Sequence, residues 1–558
     1  MQKCLYLLLI TLLIGCTSNY KNCDANEHRV LPQLYLSLSP IAWDSICFNQ
    51  RYKATAHAIM LDMNSDTIFN DDIKYVKGRG NSSWGQQKDK PLTIKLQNST
   101  KLLNLKKGKS FCLLSSDKSM IRNAIAFDLA QRIGLQAPEY SYVSLFVNNE
   151  YIGRYMITNK ISVGKRGVNI IDLDIENQLV NFKKLKEYPS YEVGCTTNQI
   201  DNTLNEYIKG SCKFSLLDDS PIDITGGYLL NVGHNGYYKS KSGFVSSFGN
   251  YVRLESPKYA SENELNYIAD YYNQIEALIM DLQKDQDLQE LSQYINIESF
   301  ARYYLLQEIL LNVDCGQNSF YMYKDANDIM YAGPIWDFDL SLNNYPAVGT
   351  YFLPNEIWMH KNDTMSKYLP YLTCNWFQHL CRNVFFEEIV ADIYIREVEP
   401  SIYQYLADEV IDSIITIIRK DAQNEKFNSC DRTSYTYQES TNMVMNFLKN
   451  RLKFLHWYYT TPRESMVCIT DTTLTPEMSE YRRFYIPKGN TFTPPMPIFV
   501  GGKYIQTPIP MWYYAGTDRV FNGREKLYKD CAIEIHWRDP SWIEVQCRRM
   551  AKLWHKIF

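Results

Sequence analysis

The stretch from Leu311 to Leu342, LNVDCGQNSFYMYKDANDIMYAGPIWDFDLSL, sets Asp314, Asn318, Asp337 and Asp339 among Trp, Phe and Ile. A carboxylate in apolar surroundings is costly unless something pairs with it, and a metal ion is one such partner. A phosphoryl-transfer site needs a carboxylate that positions the attacking hydroxyl or accepts its proton. It also needs oxygen ligands for Mg²⁺, which neutralises phosphate charge. Asp314 followed by Asn318, then by Asp337 and Asp339, supplies those types in a workable order. Residues 319–323 and 329–335 read as a hairpin that brings the acidic ends together. On an extended strand Asp337 and Asp339, two apart, share a face. A calcium-like structural site, or carboxylates that cap turns, would use the same residues.

A second stretch, KGRGNSSWGQQKDKPLTIKL from Lys77 to Leu96, combines Gly78, Gly80 and Gly85 with Arg79, Lys88, Lys90 and Lys95. Glycine-rich backbone beside cations is how proteins cradle phosphates. Its spacing is neither a Walker loop nor a dinucleotide fingerprint, and a hairpin loop with solvated charges reads equally well.

The elements that must hold these residues follow an α+β order. Residues 31–113 are strand-like, with KATAHAIML alternating cleanly. A helix is expected over 118–134, with Ser116 as its cap and Gly134 as its end. YVSLFVNNEYIGRYMIT reads as a hairpin about Asn148-Asn149. Residues 172–222 read as an insertion or loop, and GGYLLNV and YVRLESP as short strands. Helices are expected over about 262–283, 297–313, 365–382, 386–408 and 437–459. Residues 466–538 read as a small β module and 540–558 as a terminal helix. With Pro487-Lys488-Gly489, Trp512-Tyr513 and a closing Trp537, the module resembles small repeats of bacterial surface proteins of the Listeria–Bacteroides type. The net charge of -3 over 558 residues, with no long basic run, argues against nucleic acid as a partner.

MQKCLYLLLITLLIGC at the N-terminus has one lysine and an apolar run too short to span a bilayer comfortably. Leu13-Ile14-Gly15-Cys16 resembles a bacterial lipobox. That resemblance implies a signal peptide over 1–16, a lipid on Cys16, a tether over 17–30, and anchoring to the cell envelope at the outer membrane without a spanning helix. No zinc site is apparent among the 14 cysteines.

Six pieces in order resemble the CotH kinase family, the atypical protein kinases named for a bacterial spore-coat protein. They are the Lys77–Leu96 motif, LLSSDKSMIRNAIAFDLAQRIGL, VSLFVNNEYIGRYMITNKI, GGYLLNV, IESFARYYLLQEILLNVDCGQN and YAGPIWDFDLSL. They span about residues 70–345. The resemblance implies a divergent protein-kinase-like domain over 31–463, β-rich first and helical later, with a helical extension over 360–463. It implies ATP and Mg²⁺ as cofactors and phosphate transfer to Ser or Thr of a protein substrate. Asp314 then matches the catalytic aspartate; Asp337, with Asp339 and Asn318, the metal ligands; and Arg79, Lys90 and Lys95 the phosphate contacts. Arg122 and Asn123 match a recurrent pair with a structural role.

Two departures weaken the match. Asn159 and Asn231 stand where many members carry an acid, and an asparagine cannot balance the charge of a phosphate-binding lysine. Glu255 or Glu308 could compensate. A rival reading is therefore a kinase-like scaffold that acts as a cell-surface adhesion or binding protein, to which the 43 tyrosines and 10 tryptophans would suit. A third is a phosphotransferase acting on a glycan.

Overall fold

The computed structural model describes residues 30–80, 83–84, 89–115, 117–181, 213–214, 217, 219–233, 242–283, 285–313, 315, 319–344, 354, 357–359, 376–421, 426–428, 434–460, 466–471, 480–485, 491–492, 509–515, 517–525, 527 and 531–547. The chain divides into two compact units. The first comprises Met1–Ser116, Tyr140–Asn159 and Ile415–Gln423, and the second Asp117–Glu139, Lys160–Ile414 and Asn424–Phe558.

The first unit is a closed barrel of seven strands: β1 (Gln33–Ser37), β2 (Lys53–Leu61), β3 (Thr67–Gly78), β4 (Leu92–Thr100), β5 (Gly108–Leu114), β6 (Tyr140–Val147) and β7 (Glu150–Asn159). Its order is β1-β2-β3-β4-β5-β7-β6, and the parallel pairing of β1 with β6, Gln33 opposite Ser144, closes it. Alternation decides what lies inside. Ala54, Ala56, Ala58 and Met60 on β2, Leu92, Ile94 and Leu96 on β4, and Val143, Leu145 and Val147 on β6 all join one core. Between β6 and β7, Asn148 and Asn149 have φ of 51° and 68°, the two left-handed residues that a tight hairpin turn requires. Helix α1 (Pro40–Phe48), which the sequence pattern did not suggest, is capped by Ser39.

The second unit carries most of the described helices. α2 (Arg122–Arg132) starts later than the expected 118, because the carboxylate of Asp117 holds the backbone N–H of Arg122 at 2.8 Å. It is followed by α3 (Leu173–Val180), α4 (Glu262–Asp281) and α5 (Ile297–Leu310). A six-stranded sheet is built from β8 (Lys213–Phe214), β9 (Tyr228–Gly233), β10 (Gly243–Val245), β11 (Tyr251–Ser256), β12 (Phe320–Lys324) and β13 (Met330–Ala332), in the order β13-β12-β9-β11-β10-β8. The start of α4 is a capping box of Ser261 and Glu264. Burial pushes the Glu264 carboxyl up, against the hydrogen bonds from Ser261 and Asn177 that favour its charged form.

The later helices are α6 (Trp376–Leu380), α7 (Val384–Ile393), α8 (Glu399–Ala407), α9 (Val410–Asp421) and α10 (Tyr437–Thr460); one π-helical turn, Tyr394–Val398, joins α7 to α8. α9 was not expected from the sequence. β14 (Lys426–Asn428) and β15 (Ser434–Thr436) form a ribbon. The last strands, β16 (Met466–Asp471), β17 (Glu480–Tyr485), β18 (Ile509–Tyr514) and β19 (Cys531–Arg538), form a sheet in the order β17-β16-β19-β18. Among the described residues no helix is long and apolar enough to cross a membrane.

Candidate active site

The sequence motif from Trp336 to Leu342 is positioned almost entirely by the second unit's own backbone and side chains. β12 and β13 pair antiparallel, Met322 opposite Ala332, and form the expected hairpin. The chain then turns. Asp337 has φ of 70°, a left-handed conformation that Asp and Asn tolerate better than most residues. Residues 337–339 therefore do not form a strand, and the face-sharing argument for Asp337 and Asp339 fails, because alternation holds only for extended backbone.

Helix α2 staples this turn from one side. Asn123 Oδ1 accepts from the backbone N–H of Phe338 at 2.9 Å, between the two aspartates. Arg122 Nε donates to the carbonyl of Ser341 at 2.9 Å. Arg122 is itself fixed by a buried ion pair with Asp117 at 2.7 Å. The ring of Trp336 stacks on Phe127 of α2, centroids 6.0 Å apart. Phe338 is fully buried. The Arg-Asn pair of MIRNAIA is thus the mount of the aspartate turn. The sequence carried one usable signal for its partner, an Asp five residues ahead of Arg122 in a Ser/Asp-rich helix start.

The end of α5 holds the turn from another side. Leu311, at φ of 42°, ends the helix, and Leu310 accepts at its carbonyl from the N–H of Leu342 at 2.7 Å. Asp337 Oδ2 accepts from Ser319 Oγ at 3.0 Å. No sequence signal pointed to Ser319, whose role depends on its φ of 56° and its place just before β12. Asp339 accepts at its carbonyl from Asn344 Nδ2 at 2.6 Å. Asp314 and Asn318 lie outside the described residues, as does Cys16.

The cations of the Lys77–Leu96 motif belong to the first unit. Arg79 follows β3, and its N–H bonds the carbonyl of Pro91 at 3.0 Å. Lys90 Nζ donates to the carbonyl of Trp84 at 2.6 Å and lies 5.1 Å from that ring. Lys95 alternates with the inward-facing Ile94 and Leu96 and so faces out of the barrel.

The two asparagine departures differ in setting. Asn159 ends β7 and donates to the carbonyl of Lys106 at 2.8 Å. Asn231 sits in the middle of β9 between Tyr321 and Arg253, almost fully buried, with its Oδ1 unpartnered. Glu308 does not compensate for them. Its side chain is fully buried against Arg451 of α10, 2.6 Å away, and it also accepts from the N–H groups of Trp358 and Met359. Glu255 has an ion-pair partner in Arg253 at 3.9 Å.

Hard oxygen donors suit Mg²⁺. Among the described residues no group of three or more His, Cys, Asp or Glu side chains converges as a metal site. Asp337 offers one carboxylate oxygen to Ser319, and no described residue bonds the other. Its donor chemistry fits the ion; of the other two expected ligands, Asp339 is described and Asn318 is not.

Removing the Asn123 acceptor tests the mount. Asn123→Ala leaves the Phe338 N–H buried without a partner, which should lower unfolding stability by about 1–3 kcal/mol. Asn123→Asp keeps an acceptor there but buries a carboxylate, so it should not restore the loss. A denaturation midpoint for Asn123→Ala equal to that of the wild type would refute the role.

The CotH kinase protein family matches residues 76–455, well over half of the 558 residues, and the chain belongs to that family. The crystal structure of a Helicobacter pylori proinflammatory kinase, CtkA, is similar over 69% of this chain and 95% of that chain, at 10% sequence identity and a TM-score of 0.27. No curated protein matches the chain.

Proposed function

We propose that the chain is a protein kinase of the cell envelope that transfers the γ-phosphate of ATP to Ser or Thr of a protein substrate, on a divergent protein-kinase-like domain. The observation that carries this reading is the mount of Asp337: a family member spends a buried Arg-Asp pair, an asparagine and a serine on fixing one acidic turn. Such an outlay of buried polar groups fits a site that must not move. Asp337, with Asp339 and Asn318, would hold Mg²⁺, which when bound neutralises phosphate charge as it develops. Asp314 would accept the proton of the attacking hydroxyl or orient it. Arg79, Lys90 and Lys95 would hold the phosphates as charge-assisted donors. With Glu308 committed to Arg451, the family's missing acids at 159 and 231 have no substitute there, and slow turnover is part of the proposal.

Label transfer from Mg-ATP by the chain lacking residues 1–16 tests this, beside its Asp314→Ala variant. Label on the wild type alone is expected. Equal labelling of both would remove Asp314 from its role, and label on neither, with no nucleotide bound, would reject the kinase reading.

The anchor is proposed from the N-terminal sequence alone. Cys16→Ser should move the chain from the membrane to the soluble fraction of the cells that make it, and unchanged partition would reject lipidation.

A further inference from the structure

Two neighbouring polar groups on the six-stranded sheet are left unmet. Arg253 Nε, on β11, is buried and makes no hydrogen bond. The Glu255 carboxylate is 3.9 Å from Arg253 Nη2, beyond hydrogen-bonding reach. Directly across the ladder on β9 stands Asn231, 1% exposed, whose Oδ1 also has no partner. A donor and an acceptor thus sit on facing residues, and neither serves the other. Buried polar groups are normally satisfied, so each such exception asks for an explanation. A guanidinium is a fork of five donors that suits an anion.

The guanidinium reaches along the sheet rather than across it. Asn231 and Gly233, two apart on β9, share a face. Arg253 is the ladder partner of Asn231, yet a Cβ built on Gly233 would lie 3.5 Å from Arg253 Nε and 3.7 Å from Nη2. The side chain therefore runs over Gly233, which has no side chain to obstruct it. That end of β9 is the end nearest the aspartate turn. Val232 pairs with Phe320, and the residue before Phe320 is Ser319, which bonds Asp337. The residue at 231 decides what the cation can do. An acid there, as in many family members, would face Arg253 at a Cβ separation of about 5 Å and pair with it. Asparagine carries no charge to offer, so the cation is left for a ligand.

We infer that Arg253 is a phosphate-binding residue of the nucleotide site, reaching the phosphates from the sheet side of the aspartate turn. The nucleotide rests on the kinase reading above; the anion site itself does not. A nucleotide answers both unmet groups, with a phosphate oxygen for the guanidinium and a ribose hydroxyl for Asn231 Oδ1. Arginine makes such phosphate contacts through charge-assisted hydrogen bonds.

The test titrates the full-length chain with Mg-ATP and, separately, with inorganic pyrophosphate, and reads binding by calorimetry. Arg253→Gln should weaken both ligands by about ten-fold or more, the scale of a hydrogen bond to a charged group. Its Nε has no hydrogen bond to lose, so the unliganded melting curve should match that of the wild type. Asn231→Glu leaves Arg253 in place but gives it a partner within the protein. It should weaken both ligands in the same way, which loss of a merely structural arginine would not explain. Mg-ATP bound alike by the wild type and Arg253→Gln overturns the inference and leaves the kinase reading standing. Wild-type affinity in Asn231→Glu overturns it as well. Pyrophosphate bound in an Arg253-dependent way, with no ATP bound, removes the kinase reading and leaves the anion site. Binding of neither ligand by the wild type removes both.

Discussion

Arg451→Ala is expected to cost about 3–5 kcal/mol of unfolding stability, the penalty of leaving one partner of a buried ion pair uncompensated. Arg451 is the largest fully buried side chain in the protein's described residues. It makes three kinds of contact at once. Nη2 meets Glu308 Oε2 at 2.6 Å, Nε meets the carbonyl of Glu308 at 2.7 Å, and Nη1 meets the carbonyl of Pro354 at 3.0 Å. Glu308 lies in the last turn of α5, three residues before the Leu311 that ends it. The pair therefore ties α10 to the helix end that also receives the N–H of Leu342, behind the aspartate turn. The double substitution Arg451→Met with Glu308→Gln removes both charges and keeps a side-chain acceptor for the N–H groups of Trp358 and Met359. It should cost less than Arg451→Ala, since no buried charge is left without its partner. Urea denaturation of the three proteins decides it. A single variant within about 1 kcal/mol of the wild type would show that the charges are reached by water and the pair is worth no more than a surface one.

Asp337→Asn should abolish nucleotide-linked stabilisation and reduce transfer by on the order of 10³-fold, the scale on which a lost charge-stabilising group acts in such sites. Asparagine is the informative replacement. It tolerates the left-handed φ of 70° that Asp337 adopts, and its carbonyl oxygen can still accept from Ser319. Only the charge is lost. Asp337→Ala adds backbone strain of about 1 kcal/mol and so confounds the two effects. In melts, the wild type should gain stability with Mg-ATP by ordinary linkage, and Asp337→Asn should gain none while matching the wild type without ligand. If Asp337→Asn retained the gain, the metal role of Asp337 would be wrong.

Much of the local structure was legible in the sequence, for local reasons. KATAHAIML alternates, so its inward face could be read before the barrel was known. Asn148-Asn149 specified its own turn, since two adjacent residues that accept positive φ leave few alternatives. The acidic motif near 337 stood out because carboxylates beside Trp and Phe need an explanation.

What the sequence left open required contacts between residues far apart in the chain. The barrel closes through β1 and β6, more than 100 residues apart, and no periodicity in either strand names its neighbour. Arg122 and Asn123 could be recognised as a pair, but their targets, Phe338 and Ser341, lie over 200 residues away. Glu308 looked available to balance a lysine until α10 placed Arg451 against it. The strand assumed at 337–339 became a turn because the tertiary setting rewards a left-handed Asp337 with the Ser319 bond. α3 shows the same division. Residues 172–222 read as an insertion or loop, yet the fold makes Leu173–Val180 a helix, with Asn177 turned inward to Glu264 and Ile175 outward to solvent. Pattern fixes a face; which face is buried depends on the partners that the rest of the chain brings to it.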